Sequence, residues 1–275
     1  MLIPIPKRRN AFAYLLWNWL LKKNGAFSTW NDAYFFGPSH GINDYDTISQ
    51  YKNSHSKPDK QYSILPTVIQ LAGSCANKIV VDLGCGTGFF TVPFAKHGAL
   101  HVYGIDNSKE QLALAYSQPN ITYVLRDVFV DSLPRADVII APFVANYART
   151  LPILRHFFQK LYNSLEKDGI AVFVIDFPNN RELKRFGAIK KIIGNLEDGA
   201  LISIELFNNE EKICELSAFY FNPATIEKEL KNVGFKEIEW HSPIISDEGQ
   251  QRFGRDFWKN YLDDPELGYL TVKKS

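Results

Sequence analysis

The chain carries almost no excess charge of either sign. Its 31 Lys and Arg stand against 30 Asp and Glu over 275 residues. No long-range field therefore draws it to a polyanion, and nucleic acid is not an expected partner. Cysteine is scarce: Cys75, Cys85 and Cys214 are an odd number without C-x-x-C spacing. That argues against a disulfide framework and a zinc site, so no metal is expected and a reducing, cytoplasmic setting is. Long apolar runs are also missing. Ala11 to Leu21, set between Lys7-Arg8-Arg9 and Lys22-Lys23, is too short to cross a bilayer as a helix. Lys22, Lys23 and Asn24 stand where a signal cleavage site would place small residues. Residues 1–42 are read as a helical extension packed on the body or on a second copy, which leaves a homodimer open. A membrane-surface anchor and a secretion signal are the competing readings, and stable membrane insertion is not expected.

What the chain does have is the stretch Lys78 to Phe90, Lys-Ile-Val-Val-Asp-Leu-Gly-Cys-Gly-Thr-Gly-Phe-Phe. Ile79, Val80 and Val81 suit a strand buried on both faces. The strand ends at Asp82, and Gly84, Gly86 and Gly88 then let the backbone lie directly against a ligand. A G-x-G-x-x-G dinucleotide fingerprint fails on register. From Gly84 it needs glycine at 89, where Phe89 stands; from Gly86 it needs glycine at 91, where Thr91 stands. D-x-G-x-G-x-G remains, with a carboxylate that would repel a pyrophosphate and suits a ligand bearing a positive amino group. This stretch resembles the first motif of the class I S-adenosylmethionine-dependent methyltransferases. The resemblance implies an α/β fold, a doubly wound Rossmann-like sheet of seven strands with the last antiparallel. It also implies S-adenosylmethionine as cofactor, S-adenosylhomocysteine as product, and Asp82, Gly84, Cys85, Gly86 and Gly88 as cofactor residues.

The following elements alternate as such a sheet should. A helix over Phe89 to His97 precedes a strand from Leu100 to Ile105, which ends in Asp106. That acid lies where this architecture presents a carboxylate to ribose hydroxyls, with Asn107 beside it. Ser108 and Gln111 make a capping box for the next helix. A third strand, Ile121 to Leu125, leads to Arg126-Asp127-Val128, where the resemblance sets Asp127 against the adenine amino group and the Val128 N–H against a ring nitrogen. A fourth, Asp137 to Ala141, leads into the loop that faces the transferred methyl in the family, with Pro142 at the cofactor. Asn146 and Tyr147 can hydrogen-bond and stack on a heteroaromatic ring and are the catalytic candidates there. Amino-methyltransferases of DNA bases carry a polar-Pro-Pro-aromatic stretch in this slot. Ala141 and a single proline depart from it, so bases in polymers are not expected acceptors. Val144-Ala145-Asn146-Tyr147-Ala148 resembles instead the small-molecule branch that contains toxoflavin synthase.

Three outlying segments complete the reading. In Asn43 to Tyr51, Asn43 or Asp44 is set to cap a short helix with Tyr45, Ile48 and Tyr51 on one face. Similar stretches close over cofactor and acceptor in small-molecule methyltransferases, which assigns Tyr51 to the cofactor and Tyr45 to the substrate. A helix from Pro152 to Leu165, ended by Lys167-Asp168-Gly169, and a strand from Ile170 to Phe177 precede a cap insertion at about 178–222. The cap is read as a helix over Arg181 to Ile193 and a hairpin of Ala200 to Phe207 with Lys212 to Phe221, offering Tyr220 to the substrate. After a helix from Asn222 to Gly234, strands Phe235 to His241 and Leu267 to Val272 flank an aromatic insertion at about 242–266. There Phe253, Phe257, Trp258 and Tyr261 share a helical face and Trp258 is a substrate candidate. The methyltransferase domain is thus placed at residues 43–275.

The expected activity is methyl transfer to nitrogen or oxygen of a small planar heterocyclic or aromatic acceptor. A ring nitrogen with a free lone pair needs only orientation; an N–H or phenol needs a base, for which His40, His55 and His241 are candidates, His241 foremost. The alternatives are a non-catalytic cofactor-binding scaffold and a methyltransferase of protein or RNA.

Overall fold

The computed structural model describes residues 43–48, 51–179, 182–183, 186–208 and 211–275. The expected extension, 1–42, lies outside them, and His40 with it. The scaffold is a seven-stranded sheet in the order β10-β11-β5-β4-β1-β2-β3. Its strands are β1 (Ile79–Leu83), β2 (His101–Asp106), β3 (Ile121–Leu125), β4 (Ala136–Pro142), β5 (Leu165–Asp176), β10 (Glu237–His241) and β11 (Leu267–Lys273). β11 runs antiparallel to both its neighbours, while β1 to β5 pair in parallel. The alternation of side chains explains why β1 and β5 read as continuous apolar runs: Val81, Leu83, Ala171, Phe173 and Ile175 enter one core, Val80, Val172 and Val174 the other. β1 pairs with β2 on one side and β4 on the other, so the chain reverses its winding there. In open sheets of this kind the crevice at that reversal, beyond the carboxyl ends of the strands, is where ligands bind.

Helices α1 (Leu65–Ala72), α2 (Thr91–Lys96), α3 (Lys109–Ala113), α4 (Leu151–Ser164) and α5 (Pro223–Val233) connect the strands. α4 buries Leu154, Phe157, Phe158 and Leu161, the i, i+3, i+4, i+7 stripe of an amphipathic helix. Its end differs from expectation. The helix stops at Ser164, and Lys167-Asp168-Gly169 is an irregularity inside β5, where the Asp168 N–H donates to the Lys274 carbonyl at 2.6 Å.

The cap is a second, four-stranded antiparallel sheet, β6 (Glu182–Leu183), β7 (Ala188–Ile193), β8 (Leu201–Asn208) and β9 (Glu211–Phe219). Within the helix expected over Arg181 to Ile193, residues 182–183 and 188–193 are therefore strands. The β-branched Ile189, Ile192 and Ile193 pair with Glu205, Ile202 and Leu201 of β8, and tertiary pairing overrides the local helical pattern. The aromatic insertion holds two helices, α6 (Asp247–Phe253) and α7 (Arg255–Asp263), divided at Gly254.

Gly88 shows how closely the loop after β1 is fitted. It sits at φ 87°, and a Cβ there would lie 2.2 Å from the Tyr123 hydroxyl, which itself donates to the Tyr116 carbonyl at 3.0 Å. Gly88→Ala is expected to destabilise the fold by about 2–4 kcal/mol, from backbone strain and overpacking together. Urea denaturation should show part of that loss recovered in a Tyr123→Phe background; a loss below about 0.5 kcal/mol would contradict this packing.

Candidate active site

The carboxyl ends of β1 and β2 are tied together through backbone amides. Gly84 and Cys85 both donate N–H to the Ile105 carbonyl, at 2.8 and 3.1 Å. The Asp106 carboxylate accepts from Gly86 N–H at 2.7 Å and Ser108 N–H at 2.8 Å, and burial raises its pKa. Ser108 also caps α3 by accepting from the Gln111 N–H, the first half of the expected capping box. Asp82 is fully buried; Thr91 donates to its Oδ2 at 2.6 Å, and burial pushes its pKa up to about 7. Among the described residues, Asp82 Oδ1 and Gln111 Oε1 are buried acceptors with no hydrogen-bond partner. A Cβ at Gly84 would meet Val144 at 2.9 Å, whereas one at Gly86 would meet only Gln111 Oε1, at 3.9 Å. The open backbone over Gly86 and the leftover acceptors fit a ligand rich in N–H and O–H donors, as S-adenosylmethionine is.

The other expected cofactor residues divide. The Cys85 thiol turns inward, buried, with burial holding its pKa well up, so this residue offers only backbone. Asn107 is exposed next to Asp106. Asp127 Oδ1 accepts the Phe129 N–H at 2.8 Å, closing the turn after β3, and the Val128 carbonyl accepts from Lys160 at 2.8 Å. Pro142 ends β4. Beside it Phe143 holds φ 66°, a costly conformation for an aromatic residue, with its N–H on the Val174 carbonyl at 2.7 Å. Phe143 was not singled out from sequence, because nothing in Ala-Pro-Phe-Val announces its backbone.

Asn43 to Ile48 is a series of turns rather than the expected capped helix. Instead of capping, the Asn43 amide imitates a strand, donating to the Ser217 carbonyl at 2.9 Å and accepting the Ser217 N–H at 2.8 Å on β9. Asp46 accepts from Ser108 Oγ at 2.6 Å and from the Glu110 N–H at 3.2 Å. The segment thus joins the cap to the turn between β2 and α3. Tyr45, Ile48 and Tyr51 all pack on the cap core, as does Tyr147. The hydroxyls of Tyr45 and Tyr147 hydrogen-bond each other, and the Tyr45 and Tyr51 rings meet edge-to-face at 4.9 Å. Burial raises the pKa of all three phenols, so they stay protonated at neutral pH.

Beneath this lid is a cavity of about 60 Å3, room for a few waters, lined by Tyr51, Tyr147 and Phe143 and by residues of the cap. Three buried lysines, Lys57, Lys60 and Lys190, also line it, with Asp59 and Asp176. Lys190 pairs with Asp176 at 2.5 Å. Burial alone would lower the Lys190 pKa; Asp176 and then Glu266 outweigh it and raise it. None of these five was read as functional from sequence. Asp176 carried a signal, an acid closing a buried apolar strand as Asp82 and Asp106 do; the lysines carried none.

Four expected residues are placed elsewhere. Asn146 is buried and fully engaged: its Nδ2 donates to the carbonyls of Phe219 at 3.0 Å and Asp176 at 3.3 Å, and its Oδ1 accepts the Asp176 N–H at 2.8 Å. It braces β5 against the cap, with both amide protons already used there. The His241 ring is bonded to Thr271 Oγ1 at 2.8 Å on the adjacent strand and does not line the cavity. Tyr220 packs in the cap core against Phe177 and is likewise outside the lining. Trp258 is sealed among Tyr62, Phe186 and Tyr261, its indole N–H on the Gly249 carbonyl at 3.0 Å. The aromatic insertion is core, since a ring 1% exposed has no face to lend a substrate. His55, by contrast, reaches the glycine loop, its Nδ1 3.4 Å from Thr87 Oγ1; burial, then Lys60 and Lys57, pull its pKa down to about 3.

A sheet of this order, with a glycine loop and two acids at its winding reversal, defines an S-adenosylmethionine-binding methyltransferase fold of class I. Residues 80–169 match the family model described as a methyltransferase domain. Protein arginine N-methyltransferase 1 of Saccharomyces cerevisiae is 32% identical over 117 residues, covering 39% of this chain and 33% of that protein. Demethylmenaquinone methyltransferase of Chlorobaculum tepidum is 29% identical over 185 residues, covering 62% and 70%. The chain thus spans from a third to a little over two thirds of the length of these curated relatives. A solved S-adenosylmethionine dependent methyltransferase from Mesorhizobium loti shares the fold, with a TM-score of 0.58 at 20% identity over 80% of this chain and 100% of that one. Residues 80–169 thus match a methyltransferase domain, set in a fold shared with a solved S-adenosylmethionine dependent methyltransferase.

The buried acid at the end of β1 makes stability pH-dependent. Asp82 titrates near 7 in the fold and near 4 when unfolded, so the native state binds the extra proton between those values. Its contribution is complete below about pH 4 and is lost as pH rises through about 7. Asp82→Asn mimics the protonated form; its stability relative to wild type is expected to rise from near zero at pH 4 toward at most about 4 kcal/mol at pH 8. Chemical denaturation of both proteins across that range tests this, and a pH-independent difference would contradict it.

Proposed function

We propose that this protein transfers a methyl group from S-adenosylmethionine to nitrogen or oxygen of a small planar acceptor. The observation that carries the reading is the roofed cavity shared by Tyr147 and Phe143 of the loop after β4, Tyr51 of the lid and the cap sheet. A peptide or RNA substrate calls for a long open groove, whereas this space is small and is bounded by the lid, the loop after β4 and the cap. The likeness of Val144 to Ala148 to the toxoflavin synthase branch supports a ring-nitrogen acceptor. A cytoplasmic setting is favoured by three cysteines without a disulfide.

When bound, the cofactor supplies a methyl group on a sulfonium, which leaves by in-line displacement. In this reading the Asp106 carboxylate receives the ribose hydroxyls, and the Gly84–Gly88 backbone lies along the ligand. Tyr147 and Phe143 hold the acceptor ring, while the lid excludes water. Alignment of that kind can contribute ~7–11 kcal/mol to the rate. Entry of an acceptor requires the cavity to widen, because as it stands it has room for only a few waters.

Calorimetry is expected to show S-adenosylhomocysteine binding in the micromolar range, weakened at least ~100-fold by Asp106→Ala and by Gly84→Val. With labelled S-adenosylmethionine and a cell extract, the label should appear in the small-molecule fraction. Unchanged affinity in both variants, or label confined to protein or RNA, would count against this reading.

A further inference from the structure

The lid end of the cavity holds a buried ammonium group that the methyl-transfer chemistry does not call for. Lys60 opens a π-helical turn, Lys60–Ile64, a geometry concentrated at functional sites. Its side chain is buried; Nζ donates to Ser54 Oγ at 3.3 Å and lies 5.2 and 5.4 Å over the rings of Tyr51 and Phe89. Among the described residues no carboxylate pairs with it. Lys57 lies in the same cavity, its Nζ 3.3 Å from the Gly187 carbonyl and 3.8 Å from Asp59. Asp59 is shared further, since its Oδ1 accepts the Lys60 backbone N–H at 2.7 Å. Asp59 thus faces Lys57, on which Asp176 also acts, and among the described residues Lys60 is the lysine of this cavity without a carboxylate in contact. The third, Lys190, is matched by Asp176, with Glu266 also acting on it. Buried ammonium groups ordinarily keep a counter-ion, and a methionine would fill the place of Lys60 without that demand.

We propose that the methyl acceptor bears an oxyanion, a carboxylate or a phosphate, which Lys60 and Lys57 receive while its ring lies against Tyr147 and Phe143. This rests on the methyltransferase reading and narrows its substrate class. Tyr51 and Phe89 hold the Lys60 ammonium in place through their ring faces. Ser54 accepts one of its protons, and the remaining donors are left for the incoming anion.

The groups acting on Lys60 set the pH dependence. Burial, then Lys57, pull its pKa down to about 7, while Asp59 and Cys214 act the other way. His55, pulled down to about 3 by burial and then by both lysines, stays neutral throughout. Tyr51, raised by burial, stays protonated. An anion prefers protonated Lys60, so its affinity falls as pH rises through about 7.

The test is calorimetry on the full chain saturated with S-adenosylhomocysteine, with benzoate, phenyl phosphate, neutral benzamide and cationic benzylamine as probes. At pH 6 benzoate or phenyl phosphate should bind at least tenfold more tightly than benzamide or benzylamine, and the better of the two tells carboxylate from phosphate. That preference should fall at least tenfold at pH 8.5 and in Lys60→Met, and Lys60→Arg should keep it at pH 8.5. Affinity for S-adenosylhomocysteine should stay unchanged in both variants. Equal binding of benzamide, or an anion preference intact in Lys60→Met, overturns the proposal while leaving the methyltransferase reading in place. Absence of S-adenosylhomocysteine binding to wild type overturns that reading itself. If Lys60→Met does not fold, the wild-type pH dependence decides, and a flat profile overturns the proposal.

Discussion

Two hydrogen bonds accepted by one carboxylate hold this site together. Asp106, at the end of β2, takes the N–H of Gly86 from one loop and of Ser108 from the next. The Ile105 carbonyl takes two more amides from the same glycine loop. The loop is thereby fixed against its neighbouring strand, at the point where β1 lies between β2 and β4. Buried in this way, Asp106 and Asp82 both have raised pKa values. A cationic ligand group beside them would favour their charged forms, so ligand binding and proton release are coupled here.

The lid and cap are fastened by polar side chains that stand in for backbone. Asn43 pairs with Ser217 as another strand would, and Asn146 links Asp176 of β5 to Phe219 of β9. Each bond is modest, but in a buried network the members depend on one another. The Tyr45–Tyr147 contact is different in kind, since it joins the lid to the loop after β4 through one pair of hydroxyls. Firm attachments at 43 and 46 and a partable one at 45 are what a lid needs.

The sheet and the glycine loop were legible because their rules are local. β-branched runs that end in an acid or glycine mark strands, and Gly84, Gly86 and Gly88 occupy positive φ as the motif requires. The cap was half legible. Its hairpin alternated visibly, but Arg181 to Ile193 carries a pattern that only pairing with β8 resolves into strands. Site residues were misread where the same side chain serves core or ligand. Trp258, Tyr220 and Asn146 are residue types that bind substrates, and burial decides otherwise. The lysines were missed for the converse reason: Lys57-Pro-Asp-Lys60 reads as a solvated linker until the chain folds it under the cap.

The most direct measurement is a crystal structure of the protein with S-adenosylhomocysteine. The ribose hydroxyls are predicted to lie within hydrogen-bonding distance of the Asp106 carboxylate, with the sulfur turned toward Tyr147 and Phe143. A ligand seated anywhere else on the sheet, or with its ribose remote from Asp106, would contradict the claim that the reversal between β1 and β4 is the active site.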